Sequence, residues 1–155
     1  MSPAPPEATG VRSPGREVRV FAVRGVPEIS AGDDLASLIG AALDAGSVPL
    51  RPFDVVVVAH KVVSKAEGRM VALASVTPFA RARELAASIG LDARHVEVVL
   101  GETVRLLRAG PVLVCETRHG LVCANAGVDL SNAADGATAT LLPVDPDGSA
   151  ARLRA

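Results

Sequence analysis

Apolar and polar residues follow two different rhythms along the chain, and the changes between them mark the elements. Residues 17–24, EVRVFAVR, alternate apolar and polar positions, which predicts a half-buried strand. GVPEI then turns the chain, because Pro27 fixes its own φ and pushes Val26 out of helical geometry. Over residues 32–46 the spacing becomes helical: Leu35, Leu38, Ile39, Ala42 and Leu43 share one face, Asp33 or Asp34 caps the start, and Gly46 ends it. Residues 54–60, DVVVVAH, are a near-continuous apolar run rich in β-branched valine, which predicts a strand buried on both faces.

GRMVAL, residues 68–73, predicts another strand. Residues 77–90 form an amphipathic helix pattern with Phe79, Ala82, Leu85, Ala86 and Ile89 on one side, Thr77 as N-cap and Pro78 at the first helical position. Residues 92–110 predict a longer helix, capped by Asp92, with Val96, Val99, Leu100 and Leu107 facing inward. Residues 112–125 read as a hairpin turning near His119 and Gly120. A polar loop follows over 127–136, then a short strand in ATLLP, residues 139–143, and the start of an amphipathic helix over 145–155. This alternation predicts a single α+β domain over residues 16–155, a buried mixed sheet with flanking helices. Residues 1–15, rich in Pro, Gly and Ser, read as a disordered tail.

Composition narrows the function. Apolar residues make up 49% of the chain and aromatics 2%, with no Trp or Tyr, so the core is aliphatic and the composition argues against base stacking on aromatic rings. A net charge of −1 gives no electrostatic footprint for nucleic acid or an anionic membrane. No apolar run is long enough to span a bilayer, and the N-terminus has no apolar signal region. Cys115 and Cys123 lack metal-type spacing and read as buried free thiols of a reducing compartment, so a cytoplasmic location is expected.

Three stretches can carry chemistry. In HKVVSKAEGR, residues 60–69, stand Lys61 and Lys65, the only lysines in a chain whose other basic residues are arginine and histidine. They follow the end of a predicted buried strand, where α/β proteins place ligands, and an ammonium suits phosphate oxygens; the alternative is a solvated turn. In ANAGVDLSN, residues 124–132, Gly127 permits close backbone approach, Asp129 is a hard oxygen donor suited to Mg²⁺, and Asn132 both donates and accepts; the alternative is an Asx-turn closing a hairpin. The turn RGVPEISAGDD, residues 24–34, offers backbone N–H groups to an anion but also carries Glu28, Asp33 and Asp34, and reads equally as an ordinary strand-to-helix loop. Of the histidines, His95 falls inside a predicted helix, at its surface, and His119 at the hairpin tip. No G-x-S-x-G, H-E-x-x-H or G-x-G-x-x-G is present, which argues against hydrolase triads, zincins and Rossmann enzymes.

Four blocks, VPEISAGDDLASLI, DVVVVAHKVVSKAEGR, ETRHGLVCANAGVDLSN and LLPVDPDGSAARLR, resemble the coenzyme F-420-0:L-glutamate (γ-glutamyl) ligases in order and spacing, from about residue 17 to the end. They are most similar to the N-terminal ligase domain of the actinobacterial bifunctional form. The resemblance implies a GTP-dependent ligase, in F-420 biosynthesis, that adds L-glutamate to F-420-0 through an acyl phosphate, with Mg²⁺ or Mn²⁺, potassium as monovalent cation, and a homodimeric state. It implies nucleotide contacts at Val26, Pro27, Glu28, Ile29, Lys65 and Asn132, and a divalent metal at Asp129. His60 stands where the family's nucleotide-contacting Ser lies, with Ala59-His60 replacing Thr-Ser. No base for the amine is implied. Family members continue beyond this point with a second metal-binding Asp, so the chain reads as C-terminally truncated. The alternative is a non-catalytic fragment or partner module that binds nucleotide weakly or only assembles with a missing half.

Overall fold

The computed structural model describes residues 18–130 and 138–154. Its residues fall into two compact units, one of residues 18–27 together with 37–54, the other of residues 28–36, 55–130 and 138–154. The class is α+β, as the alternation predicted, and every ladder among the described residues is antiparallel.

Helix α1, Leu35–Ala45, lies where the helical spacing put it. Asp34 accepts the Ala36 amide at 3.1 Å, and the Gly46 amide closes the last turn on the Ala42 carbonyl at 3.0 Å. Helix α2, His60–Ala66, carries both lysines and ends in a left-handed Gly68 at φ 67°. The Gly68 amide bonds the Lys65 carbonyl at 3.0 Å and the Arg69 amide bonds the Ser64 carbonyl at 2.8 Å, a reversal that needs glycine's freedom at positive φ. The chain turns straight into β1, Met70–Ala72, which pairs with β5, Thr138–Thr140.

Helix α3, Ala80–Ile89, starts later than expected. Its N-cap is Phe79 rather than Thr77, because the Phe79 amide finds the Glu97 carboxylate at 2.8 Å and needs no local hydroxyl. Helix α4, Ala93–Gly101, is capped by Asp92, whose carboxylate accepts the Arg94 amide at 2.8 Å. The single long helix predicted over 92–110 does not form. Beyond Gly101 the chain becomes β2, Thr103–Arg108, whose partner β3, Val114–Thr117, offers a ladder that outweighs helical spacing. Leu107, expected to face inward, is exposed on that strand. Strand β4, Val122–Ala124, completes the three-stranded sheet in the order β2-β3-β4, and the hairpin turns at Gly120, φ 74°. Helix α5, Pro146–Arg154, begins at Pro146, with the Asp145 carboxylate accepting the Gly148 amide at 2.9 Å.

The core of the second unit joins Leu73, Ala82, Ala86, Val96, Val99, Leu113, Cys115, Ala126, Val128, Ala139 and Leu141. All are small or aliphatic, as the composition required. Both cysteines are free and face each other across β3 and β4, and burial pushes the Cys123 thiol above its usual value. His95, expected at the surface, is buried, because its position on α4 is one turn from Val99.

Two predicted strands do not form among the described residues. Residues 18–24 join no ladder there, and Val18, Val20 and Phe21 are exposed. DVVVVA likewise joins no ladder among the described residues, with Val55, Val56 and Val57 exposed and Val58 half-buried. β-branched composition favours an extended backbone, but only a neighbouring strand turns it into a sheet.

Candidate functional site

Helix α2 is the centre of the site. Lys61 and Lys65 are four residues apart, so their side chains rise from one face of the helix. Each meets a carboxylate from a different loop. The Lys65 ammonium pairs with Glu28 of the loop before α1, and the Lys61 ammonium pairs with Asp129 of the loop after β4. The first loop is also bonded to the end of α2 by its backbone, Gly32 amide to Ala66 carbonyl at 2.8 Å.

Asp129 reaches α2 by a route the backbone defines. Asparagine 125, alanine 126 and glycine 127 form a short turn with φ of 51°, 52° and 73° at Asn125, Ala126 and Gly127. The Asn125 side chain accepts the Leu113 amide at 3.0 Å, and the Val128 amide closes the turn on the Asn125 carbonyl at 2.9 Å. Asp129 then exchanges two backbone hydrogen bonds with Thr140, at 3.0 and 2.8 Å. Thr140 belongs to β5, β5 pairs with β1, and β1 leaves the end of α2. The close approach that Gly127 permits is made by the protein itself: a Cβ there would lie 2.7 Å from the Leu142 side chain.

The structure thus brings Glu28, Lys65 and Asp129 to one helix, with His60 exposed at its first position and Ile29 buried in the same unit. Val26 and Pro27 belong to the other unit. Asn132 lies outside the described residues. Two residues to which the family resemblance gave no role stand out. Lys61 is the partner of Asp129, and lysine scarcity was its only signal. Glu67, at the C-cap of α2, collects Ser149, Arg152 at 3.1 Å and the Val144 amide at 3.1 Å, tying α2 to α5. No local pattern points to that role, since its partners lie far along the chain.

A carboxylate oxygen is the right class of donor for Mg²⁺ or Mn²⁺. Among the described residues, however, no group of three or more His, Cys, Asp or Glu could hold a metal, and Asp129 is already paired with Lys61. These residues do not make a metal centre by themselves. What they do make is a surface of paired charges: two ammonium groups on one helix face, each paired with a carboxylate. An ammonium group is also a donor suited to phosphate oxygens.

Residues 25–155 match the family model of the F420-0:gamma-glutamyl ligases. The chain belongs to this family. It is 46% identical over 137 residues to the coenzyme F420:L-glutamate ligase of Methanothermobacter thermautotrophicus, covering 88% of this chain and 54% of that ligase. The ligase of Archaeoglobus fulgidus is 46% identical over 137 residues, with 88% and 53% covered, and that of Methanopyrus kandleri 48% identical over 128 residues, with 82% and 48% covered. The chain spans about half the length of the curated relatives it matches. No helix among the described residues is long and apolar enough to cross a membrane.

Proposed function

We propose that this chain supplies the nucleotide-activating part of a GTP-dependent ligase that joins L-glutamate to coenzyme F-420-0, of the kind found at the N-terminus of the actinobacterial bifunctional enzymes. The observation that carries this reading is the convergence of Glu28 and Asp129 on the two lysines of α2, in a chain of the ligase family. In the first step the terminal carboxylate of F-420-0 attacks the γ-phosphorus of GTP, the bond to the bridging oxygen breaks, and GDP leaves an acyl phosphate. In the second the glutamate amine attacks the acyl carbon, inorganic phosphate departs, and the amine proton passes to water. Both steps load negative charge onto phosphoryl oxygens, which an ammonium group neutralises. Lys65 and Lys61 are the groups this chain offers for that purpose.

Val26, Pro27, Ile29, His60 and Asn132 complete the nucleotide contacts of the proposal. A requirement for Mg²⁺ or Mn²⁺ and for potassium belongs to it as a property to be measured, and no step is assigned to either ion. A cytoplasmic homodimer is the assembly it supposes. The test is phosphate release from GTP with and without F-420-0 and L-glutamate. The pair is expected to stimulate release, and Lys65→Ala and Asp129→Ala are each expected to lower it at least about tenfold. Stimulation that survives Lys65→Ala would remove the basis of the assignment.

The coverage of only about half of each relative favours a second reading, a module that binds nucleotide without turnover. Calorimetric binding of GTP by a chain that releases no phosphate with both substrates present would select it.

A further inference from the structure

The valine run at residues 55–58 holds an unusual position in the second unit. Val55 is 84% exposed, Val56 45% and Val57 89%, while Val58 is half-buried, so three consecutive valines stand largely in solvent. Among the described residues, none forms a ladder with this segment. Its sequence is that of an interior strand, apolar on both faces, and a free edge of such composition is what natural proteins cover or blunt with charge. Nothing blunts it here: the run contains no charge, no proline and no glycine. The segment also leads through Ala59, which is extended, directly into α2.

We propose that residues 55–58 are a docking edge for a polypeptide strand, supplied by the part of the ligase that the relatives carry beyond the stretch matched here, whether in the same chain or a separate one. Two observations select this occupant. The chain covers 54% and 53% of two relatives, so each holds about as much further polypeptide to provide neighbours. A run of strand-forming residues with three exposed valines and no ladder calls for pairing on two edges, whereas a second copy joined symmetrically through this edge covers one edge only. Main-chain hydrogen bonds would supply the affinity and the valine side chains the register. Because only Ala59 separates the run from His60, docking also fixes the entry to α2, and with it the direction of Lys61.

The experiment compares this chain alone with the same chain co-expressed with the uncovered part of the Methanothermobacter ligase, by amide hydrogen exchange and native mass. Alone, the amides of residues 55–58 should exchange at the rate of an unprotected peptide. In the complex they should slow at least about a hundredfold. Val57→Lys should leave the urea midpoint of the chain alone unchanged, since that side chain is exposed, and weaken assembly at least about tenfold. The proposal is overturned by failure of the two polypeptides to associate, by a complex in which these amides stay unprotected, or by undiminished assembly of Val57→Lys. Protection of residues 55–58 in a homodimer of this chain alone would overturn it too, in favour of a second copy.

Discussion

The ammonium of Lys61 lies against a carboxylate oxygen of Asp129, and both side chains are mostly withdrawn from solvent, at 28% and 31% exposed. The pair links the helix that carries the lysines to the loop that follows the β3–β4 hairpin. If a polyphosphate takes the place of that carboxylate, Asp129→Asn should tighten binding of inorganic tripolyphosphate by about three- to tenfold, read by calorimetry in chelator at low ionic strength. Lys61→Gln should weaken it by a similar factor. The same Asp129→Asn exchange should slow GTP turnover, so binding and catalysis move in opposite directions. A parallel loss of both would show that Asp129 serves only to hold the loop.

Ser64 sits between the two lysines, fully buried, and its hydroxyl has no hydrogen-bond partner among the described residues. A buried hydroxyl without a partner costs about 1–3 kcal/mol in lost hydration. Ser64→Ala is therefore expected to raise the urea midpoint, by the equivalent of up to about 2 kcal/mol. A drop of that size would mean that the hydroxyl is satisfied in solution.

Two groups at the start of α4 give opposite ends of a pH profile. Burial holds the His95 imidazole below its usual value of 6.5, against the smaller opposing pull of Asp92. The unfolded chain then binds the proton first, so stability is full above pH 6.5 and declines as pH falls from there toward the lowered folded value. His95→Gln should flatten that decline. The Arg94 hydrogen bonds to Asp92, from side chain and backbone, bring its carboxyl down from 3.8 to about 2, so its contribution is full above pH 3.8 and disappears as pH falls toward 2. Denaturant melts from pH 7.5 to pH 2.5 should show two separate declines, the lower one absent in Asp92→Ala.

Gly127→Ala should destabilise the chain by roughly 1–3 kcal/mol, since it adds both a strained positive φ and a methyl group 2.7 Å from Leu142. Pairing it with Leu142→Ala should recover the steric part and leave the backbone part. Thermal unfolding of the two single variants and the double variant separates them; strictly additive losses would argue against the clash.

What could be read from the sequence was what is decided locally. Asp92 caps α4, Gly120 turns the hairpin and Leu35, Ala42 and Leu43 mark the face of α1, each within a few residues of its partner. The errors are failures of distance. Residues 103–108 have a spacing compatible with a helix, and only β3 makes them a strand. The valine run has the composition of a buried strand but pairs with no strand among the described residues. The lysines were singled out by their rarity, yet pairing them with Glu28 and Asp129 depends on loops far apart in the chain, and no periodicity records that. Only the likeness to a family joined those stretches beforehand.

The turn at Asn125, Ala126 and Gly127 winds in the sense opposite to the α-helices among the described residues. For an L-residue such as Ala126 that hand costs roughly 1–2 kcal/mol, and the sum is met once, when the chain folds. Asp129 consequently enters any encounter already aimed, and the entropy of orienting it is absent from the binding step. Drift in this corner is filtered by chirality as well as by size: a β-branched residue at position 126 would fail even where its volume could be accommodated.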